Sequence, residues 1–321
     1  MSLASFNESI FHDYLASQEA NLPILPDVEE VTPLVTRVLG ANPGKVRDML
    51  ISTDPIKFQL QGTNTYLVGS GKQKILIDTA QGEPEWIDFI SSVLKIGGFT
   101  ISQVLLTHWH WDHTGGVPDL IRNHPELSSA IYKNNPDAGQ LPIDDGQVFR
   151  VEGATVRSVF TPGHANDHMC FVLEEENALF TGDNVLGHGY TVVEDLALYT
   201  TSLDTMGDQQ CQTGYPAHGD VIKSLPVTIS QYKQQQLRRE RQIIMALKKS
   251  KESQEREGKV GKGSVTIREI VTAVYGSVTE DVSKLALEPY MNEVLLKLAQ
   301  DRKVGFQFQR GCKRWFINPL A

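Results

Sequence analysis

Cysteine is scarce in this chain. Cys170, Cys211 and Cys312 are the only three in 321 residues, and no Cys-x-x-Cys occurs. An odd, scattered set excludes a disulfide framework and points to a reducing compartment. Cys170 and Cys211 lie in apolar surroundings and are expected as buried thiols. Long hydrophobic runs are missing as well: no segment reaches the roughly 18 apolar residues that a membrane span requires. Met1 to Pro23 carries three acids and no Lys or Arg, so neither a secretory nor a transit peptide is expected, and a cytoplasmic location follows. Positive charge is in deficit, with 30 Lys and Arg against 39 Asp and Glu, a net of −9. The chain as a whole is therefore a poor match for nucleic acid. No Gly-x-Ser-x-Gly is present, which disfavours a serine nucleophile. Apolar residues make up 40%, enough for a sizeable core, and the length suits one large domain plus a small one.

Against these absences stands one dense cluster, Thr107 to Gly116, THWHWDHTGG. It contains His108-x-His110-x-Asp112-His113, four metal-capable side chains in six residues. The preceding Ile101 to Thr107 is apolar and β-branched and predicts a buried strand. Alternation along an extended chain makes His108 and His110 point the same way. Asp112 and His113 are adjacent and must point elsewhere, at a turn before a helix starting at Val117. One loop can thus offer two ligands to one metal and two to its neighbour. Further candidates lie downstream, each after a short apolar run and a Gly or Pro: His164 in Thr161-Pro-Gly-His, Asp183 in Phe180-Thr-Gly-Asp-Asn, and His218 in Tyr215-Pro-Ala-His-Gly. Such positions are loops at strand ends. His108, His110 and His164 can hold one ion, Asp112, His113 and His218 a second, and Asp183 can bridge them with its two oxygens. Imidazole and carboxylate suit Zn²⁺, with Mn²⁺ and Fe as alternatives. His168 is expected either to orient a ligand or to line the pocket. His188, in Gly187-His-Gly189, is open between a substrate contact and a turn.

Strands are expected at Val35–Leu39, Phe58–Leu60, Tyr66–Val68, Lys74–Ile77, Ala130–Tyr132, Gln147–Val151, Ala154–Phe160, Met169–Leu173, Ala178–Phe180 and ending at Gly214–Pro216. Helices are expected at 6–20, 84–95, Val117–Arg122, Leu196–Met206 and 226–250. Lys251–Gly263, almost devoid of apolar residues, is expected as a charged linker. Beyond it, helices at Val265–Val274 and Tyr290–Gln300 precede two strands, Val304–Phe308 and Arg314–Ile317, joined at Arg310-Gly311. That pattern is winged-helix-like. Residues 263–321 hold eight basic and six acidic residues, so nucleic acid is the weaker expectation for this module and packing the stronger. The expected organisation is a domain over 1–250 with an N-terminal extension, a linker over 251–263, and a small module over 264–321.

These motifs, in this order, resemble the metallo-β-lactamase superfamily. The resemblance implies an α+β fold, the αββα sandwich, here with a small C-terminal winged-helix-like domain. It also implies that Asp78 supports the ligand loop, and that Asp112 holds a metal beside the attacking water. Whether Asp112 or the water itself carries the base step stays open. Gln61-Gly-Thr-Asn-Thr-Tyr66, Asp167-His-Met169, Thr181 to Gly189 and Tyr215 to Gly219 further resemble fungal lactamase-like thioesterases that act with non-reducing polyketide synthases. Ala217, where Gly is commoner, and Ala165-Asn166 depart from that pattern without removing a ligand. The resemblance implies a zinc-dependent hydrolase that cleaves the thioester between an aromatic polyketide, of the atrochrysone carboxylic acid type, and its acyl carrier protein. The competing expectation is a metal-dependent endoribonuclease of the same superfamily. An acidic carrier protein would need a basic patch on this acidic chain. Two are available in sequence: Lys233, Arg238, Arg239, Arg241, Lys248 and Lys249, or Arg310, Lys313 and Arg314.

Overall fold

The computed structural model describes residues 22–42, 61–189, 191–258, 261–278 and 280–318. The helix expected at 6–20 and the strand at Phe58–Leu60 lie outside the described residues. The chain divides into two compact units, one ending at Ser230 and one starting at Gln231.

In the first unit, seven strands form one mixed sheet in sequence order: β1 (Val28–Thr32), β2 (Val35–Leu39), β3 (Asn64–Val68), β4 (Gln73–Ile77), β5 (Thr100–Leu105), β6 (Ile131–Lys133) and β7 (Leu141–Pro142). Helices α1 (Pro84–Gly97), α2 (Trp111–Thr114) and α3 (Val117–Asn123) fall between them. The second sheet takes β8 (Val148–Val151), β9 (Ala154–Phe160), β10 (Met169–Leu173), β11 (Ala178–Gly182) and, after α4 (Leu196–Asp208), β12 (Thr213–Pro216), in the order β12-β11-β10-β9-β8.

Strand alternation sorts the side chains into two cores. Tyr66, Val68, Ile75, Ile77 and Leu105 face inward to meet Val156, Met169, Phe171, Leu173 and Phe180 of the second sheet. Leu67, Leu76 and Val104 face outward, where Trp86, Ile87, Ile90 and Leu94 of α1 and Leu120 of α3 cover them. This is the two-sheet sandwich with outer helices. Two stitches join the sheets along one edge. Met169 donates its amide to the Thr107 carbonyl at 2.7 Å, and Asn64 donates to Ala217 at 2.6 Å.

Some elements depart from expectation. β1 is additional: its Glu29-Glu30 pair disguises an edge strand, and Glu29 pairs with the buried Arg37 of β2. The turn at Asp112 is a helical turn, α2, with His110 at its N-cap.

The second unit takes α5 (Leu225–Arg256) from Gln231 onward, and the helix runs six residues into the segment expected as linker. Lys251–Glu255 and Glu252–Arg256 pairs at i,i+4 support that last stretch as helix. Next comes α6 (Ile267–Tyr275), which starts two residues later than expected. Thr266 and Glu269 form a reciprocal capping box there, and Val265 pairs with Trp315 as an isolated bridge instead. A helical turn at Glu280–Val282 and a wider π-turn at Ser283–Leu287 lead into α7 (Glu288–Gln300). The chain then closes with β13 (Val304–Gln309) and β14 (Cys312–Ile317), antiparallel about Arg310-Gly311. Both turn residues have positive φ, 50° and 77°, as a two-residue hairpin turn of the right hand demands. Among the described residues, no helix is long and apolar enough to cross a membrane.

Candidate metal centre

The sandwich places the seven candidate side chains at one edge, on the loops after β5, β9, β11 and β12. All are buried. His108, His110 and His164 bring one ring nitrogen each to a common point: 2.8 Å separates His108 Nε2 from His110 Nδ1, 3.0 Å His164 Nε2 from His110 Nδ1, and 3.2 Å His164 Nε2 from His108 Nε2. Asp112, His113 and His218 form a second group, and His108, His113 and Asp183 a third that links the two. Asp183 spans them. Its Oδ1 lies 3.3 Å from His218 Nε2 and 3.5 Å from His113 Nε2, whereas its Oδ2 lies 3.5 Å from His164 Nε2. Asp112 Oδ2 is 3.3 Å from His218 Nε2 and 3.4 Å from His113 Nε2. The structure thus brings together all seven residues singled out from sequence.

Hydrogen bonds on the far side of the rings determine which nitrogen is bare. His113 Nδ1 donates to Asp78 Oδ2 at 2.8 Å. His218 Nδ1 donates to the Gly62 carbonyl at 3.0 Å, and His164 Nδ1 to the Val192 carbonyl at 2.8 Å. Thr107 spends its hydroxyl proton on Asp78 Oδ2 at 2.8 Å, so its oxygen accepts from His108 Nδ1 at 3.0 Å. The inward nitrogens of these rings therefore carry lone pairs, and His110 Nδ1 meets two of them with no proton donor between. His113 Nε2 and Asp183 Oδ1 are buried without a hydrogen-bond partner. Convergent lone pairs at these spacings repel unless a cation sits among them. Ligands on tetrahedral zinc, bound at about 2.0–2.1 Å, stand only a little farther apart, roughly 3.3 Å. The donor set fits a divalent metal.

Charge points the same way. Burial holds His108, His110 and His164 below the ordinary imidazole range, His110 down to about 4, and neighbouring imidazoles reinforce this at His108 and His110. These three stay unprotonated at neutral pH, as ligands must. Burial opposes ionisation of Asp112 and Asp183, but His113 and His218 hold both carboxyls well below their usual value. Conversely, burial would lower His218, yet Asp183 and Asp112 lift it to about 10. The pocket around the two carboxylates attracts positive charge, whether proton or cation.

Local structure explains the positions. Asp78 ends β4 at a positive φ of 59° and accepts from the Thr107 amide, the Thr107 hydroxyl and His113. It ties the start and the end of the ligand loop to one carboxylate. Gly116 is required because a Cβ there would stand 2.0 Å from the Thr79 carbonyl and 2.5 Å from the Trp86 ring. His168 is a support: its Nε2 accepts from the Asp183 amide at 3.1 Å, and its Nδ1 donates to Thr161 Oγ1 at 3.0 Å. His188 lies over Gly219, next to His218, and its Nε2 makes no hydrogen bond.

Sequence reasoning passed over several supporting groups. In Gln61 to Tyr66, the Gly62 carbonyl orients His218, and Asn64 Nδ2 donates to the Pro216 and Gly219 carbonyls at 2.8 Å each. Tyr66 Oη donates to Pro216 at 2.7 Å. That motif is the cradle of the His218 loop; a polar Asn-Thr-Tyr inside a β-strand was the available signal. Val192 and Glu194, the latter 3.8 Å from His110 Nε2, had no signal, because backbone carbonyls and distant loops leave none.

Asp78→Asn is expected to lower metal affinity about 10–100-fold, the usual cost of losing a group that orients a ligand. Titration against a chromophoric chelator would measure this. An unchanged affinity would mean that the His113 tautomer is set elsewhere.

The fold and these converging donors define a metalloprotein with room for two cations at the open edge of an αββα sandwich. The chain belongs to the metallo-beta-lactamase superfamily, whose family model matches residues 59–128 and 123–218. It is 60% identical to the atrochrysone carboxyl ACP thioesterase of Aspergillus chevalieri, over 98% of this chain and 96% of that one. It is 54% identical to a protein of the same description from Paecilomyces divaricatus, over 97% and 94%. A lactamase-like protein of Aspergillus niger is 55% identical over 98% and 96%. Among solved structures, a beta-lactamase domain protein from Burkholderia ambifaria aligns with a TM-score of 0.68 at 17% identity, covering 92% of this chain and 95% of that one. A metallo-beta-lactamase family protein from Thermus thermophilus aligns with a TM-score of 0.58 at 22% identity, over 82% and 96%. These two likenesses are of fold alone.

Proposed function

We propose that this protein is a zinc-dependent thioesterase that releases an aromatic polyketide acid from the acyl carrier protein of a non-reducing polyketide synthase. The observation that carries the reading is the complete, convergent donor set in a chain 60% identical over nearly its full length to an atrochrysone carboxyl ACP thioesterase. His108, His110 and His164 would hold one ion, Asp112, His113 and His218 the other, with Asp183 between them.

Two divalent cations there would lower the pKa of a shared water and polarise a carbonyl. The protein's own groups do the rest. Gly62, Asp78, Thr107 and the Val192 carbonyl keep the imidazoles in the tautomers that ligation needs. Asp112 faces the same space as the ligands and is placed to orient the water and accept its proton. In the overall step the acyl C–S bond breaks and the oxygen of water takes its place. One water proton remains with the carboxylic acid or passes to solvent, and the other can follow the leaving thiolate. A thiolate leaves readily, so no strong general acid is required. Trp109 and Trp111 flank the ligands and are about half exposed, with the Trp109 ring 4.4 Å from that of His110. They offer flat apolar surface for an aromatic acyl chain.

The test supplies an aromatic polyketide thioester on its carrier protein to the zinc-loaded enzyme. Free acid and free carrier thiol should appear together, and prior chelation should abolish both. No release, with cleavage of single-stranded RNA instead, would overturn the proposal in favour of an endoribonuclease.

A further inference from the structure

The structure separates the two basic patches that sequence left level. At the hairpin, Arg314 is spent on the Ser264 carbonyl at 2.7 Å and on Glu269 at 3.2 Å. Lys313 lies over the Phe306 and Trp315 rings at 4.4 and 4.2 Å. Both are engaged inside the unit, which leaves the exposed Arg310 as the one cation of that patch without an ion pair among the described residues. On α5, Arg239 is likewise engaged, over the Tyr290 ring at 4.5 Å.

Lys233 is half-buried and has a partner too, so four cations of that patch on α5 remain. Arg238, Arg241, Lys248 and Lys249 are all exposed, and none forms an ion pair among the described residues. At 3.6 residues per turn they share about a third of the helix circumference with Leu237 and Met245. Leu237 and Met245 are 49% and 57% exposed, which marks this face as unpartnered rather than merely solvated. The sole acid between Gln231 and Ser250 is Glu240, which falls outside this arc. It is buried and already bound by Lys297 at 2.7 Å and Lys303 at 3.2 Å. Beside the face, α5 and α6 enclose a groove of about 500 Å³, lined by Met245, Ala246, Lys249, Ile270, Ala273 and Val274. Its one acid, Glu269, is the residue tied to Arg314.

We propose that this face of α5, with the adjoining groove, docks the acidic carrier domain that presents the thioester, a proposal that rests on the function given above. Exposed apolar side chains interleaved with cations beside an apolar groove suit a specific interface. The sign also selects the partner. A chain of net charge −9 repels an acidic protein over most of its surface, so four unpaired cations on one helix face define where such a partner is steered.

The experiment compares two substrates, the acyl group on its carrier protein and the same acyl group on free pantetheine. The double variant Arg241→Glu with Lys248→Glu changes exposed residues of the helix surface and none of the metal centre's residues. It should raise KM for the carrier-linked substrate at least tenfold, flatten its salt dependence, and leave both constants for the pantetheine thioester unchanged. Equal effects on both substrates, or no effect on either, would overturn the proposal. So would a wild-type dimer that the same charges hold together in sedimentation, or loss of binding to a single-stranded RNA oligonucleotide while the carrier KM stands still. If wild-type enzyme hydrolyses neither thioester, the functional reading fails by itself. Docking is then decided by titrating the unloaded carrier domain into each protein, where equal binding by both sinks it.

Discussion

Asp183→Ala should reduce bound metal from two ions per chain to one or fewer and cut turnover by about three orders of magnitude, roughly 4 kcal/mol of barrier. The size follows from geometry. Asp183 alone among the seven presents one oxygen to each group of imidazoles, at 3.3–3.5 Å on both sides. Removing this carboxylate also removes one of the two negative charges that draw positive ions into the buried pocket. Metal analysis on the purified variant, with circular dichroism to show that the sandwich persists, would check the result. Two tightly held ions and turnover within tenfold of wild type would show that Asp183 does not bridge.

The second large effect is expected at Asp112. Asp112→Asn keeps the size and one ligand oxygen but removes the charge and the capacity to take a proton. Turnover should fall about 10²–10⁴-fold, the range for losing a positioned general base. KM for the carrier-linked substrate should barely move, because Asp112 lies in the metal centre and not on the helix face proposed for docking. The split separates chemistry from binding. If KM rises while turnover holds, Asp112 serves binding only, and the base step belongs to the water itself.

The contrast between these two carboxylates shows how far sequence could go. Their presence in motifs was readable, and so was the candidacy of Asp183, alone after its strand, to serve both ions. Their electrostatic state was not. Both are held ionised in a buried site because His113 and His218, distant in sequence from Asp183, turn their nitrogens toward it. Burial by itself would have pushed the carboxyls the other way. The same limit explains the supporting groups: the Val192 carbonyl and the Gly62 carbonyl belong to the backbone, which every residue possesses, so no residue type announces them.

Secondary structure was legible where period and length agreed. β9 and β10 were read to the residue, since Ala154–Phe160 and Met169–Leu173 are apolar runs bounded by turns. β1 was missed because edge strands tolerate charge, and Glu29 finds its counter-ion only when β2 lies beside it. The segment after Ser250 looked like a linker because it is polar. It is helical to Arg256 because i,i+4 charge pairs hold a helix that buries little.

By itself, then, the sequence determined the seven candidate side chains, the order of strands and loops that carries them, and the superfamily. These depend on residue type and local period, which are written along the chain. Tertiary structure decided which nitrogen of each imidazole is bare, how Asp183 divides its two oxygens, and which of two basic patches keeps more charge to offer. Those depend on partners brought from far along the chain, as when Arg314 meets Glu269 or Arg239 meets Tyr290, and a one-dimensional count of charges cannot distinguish a cation already engaged from one that is free.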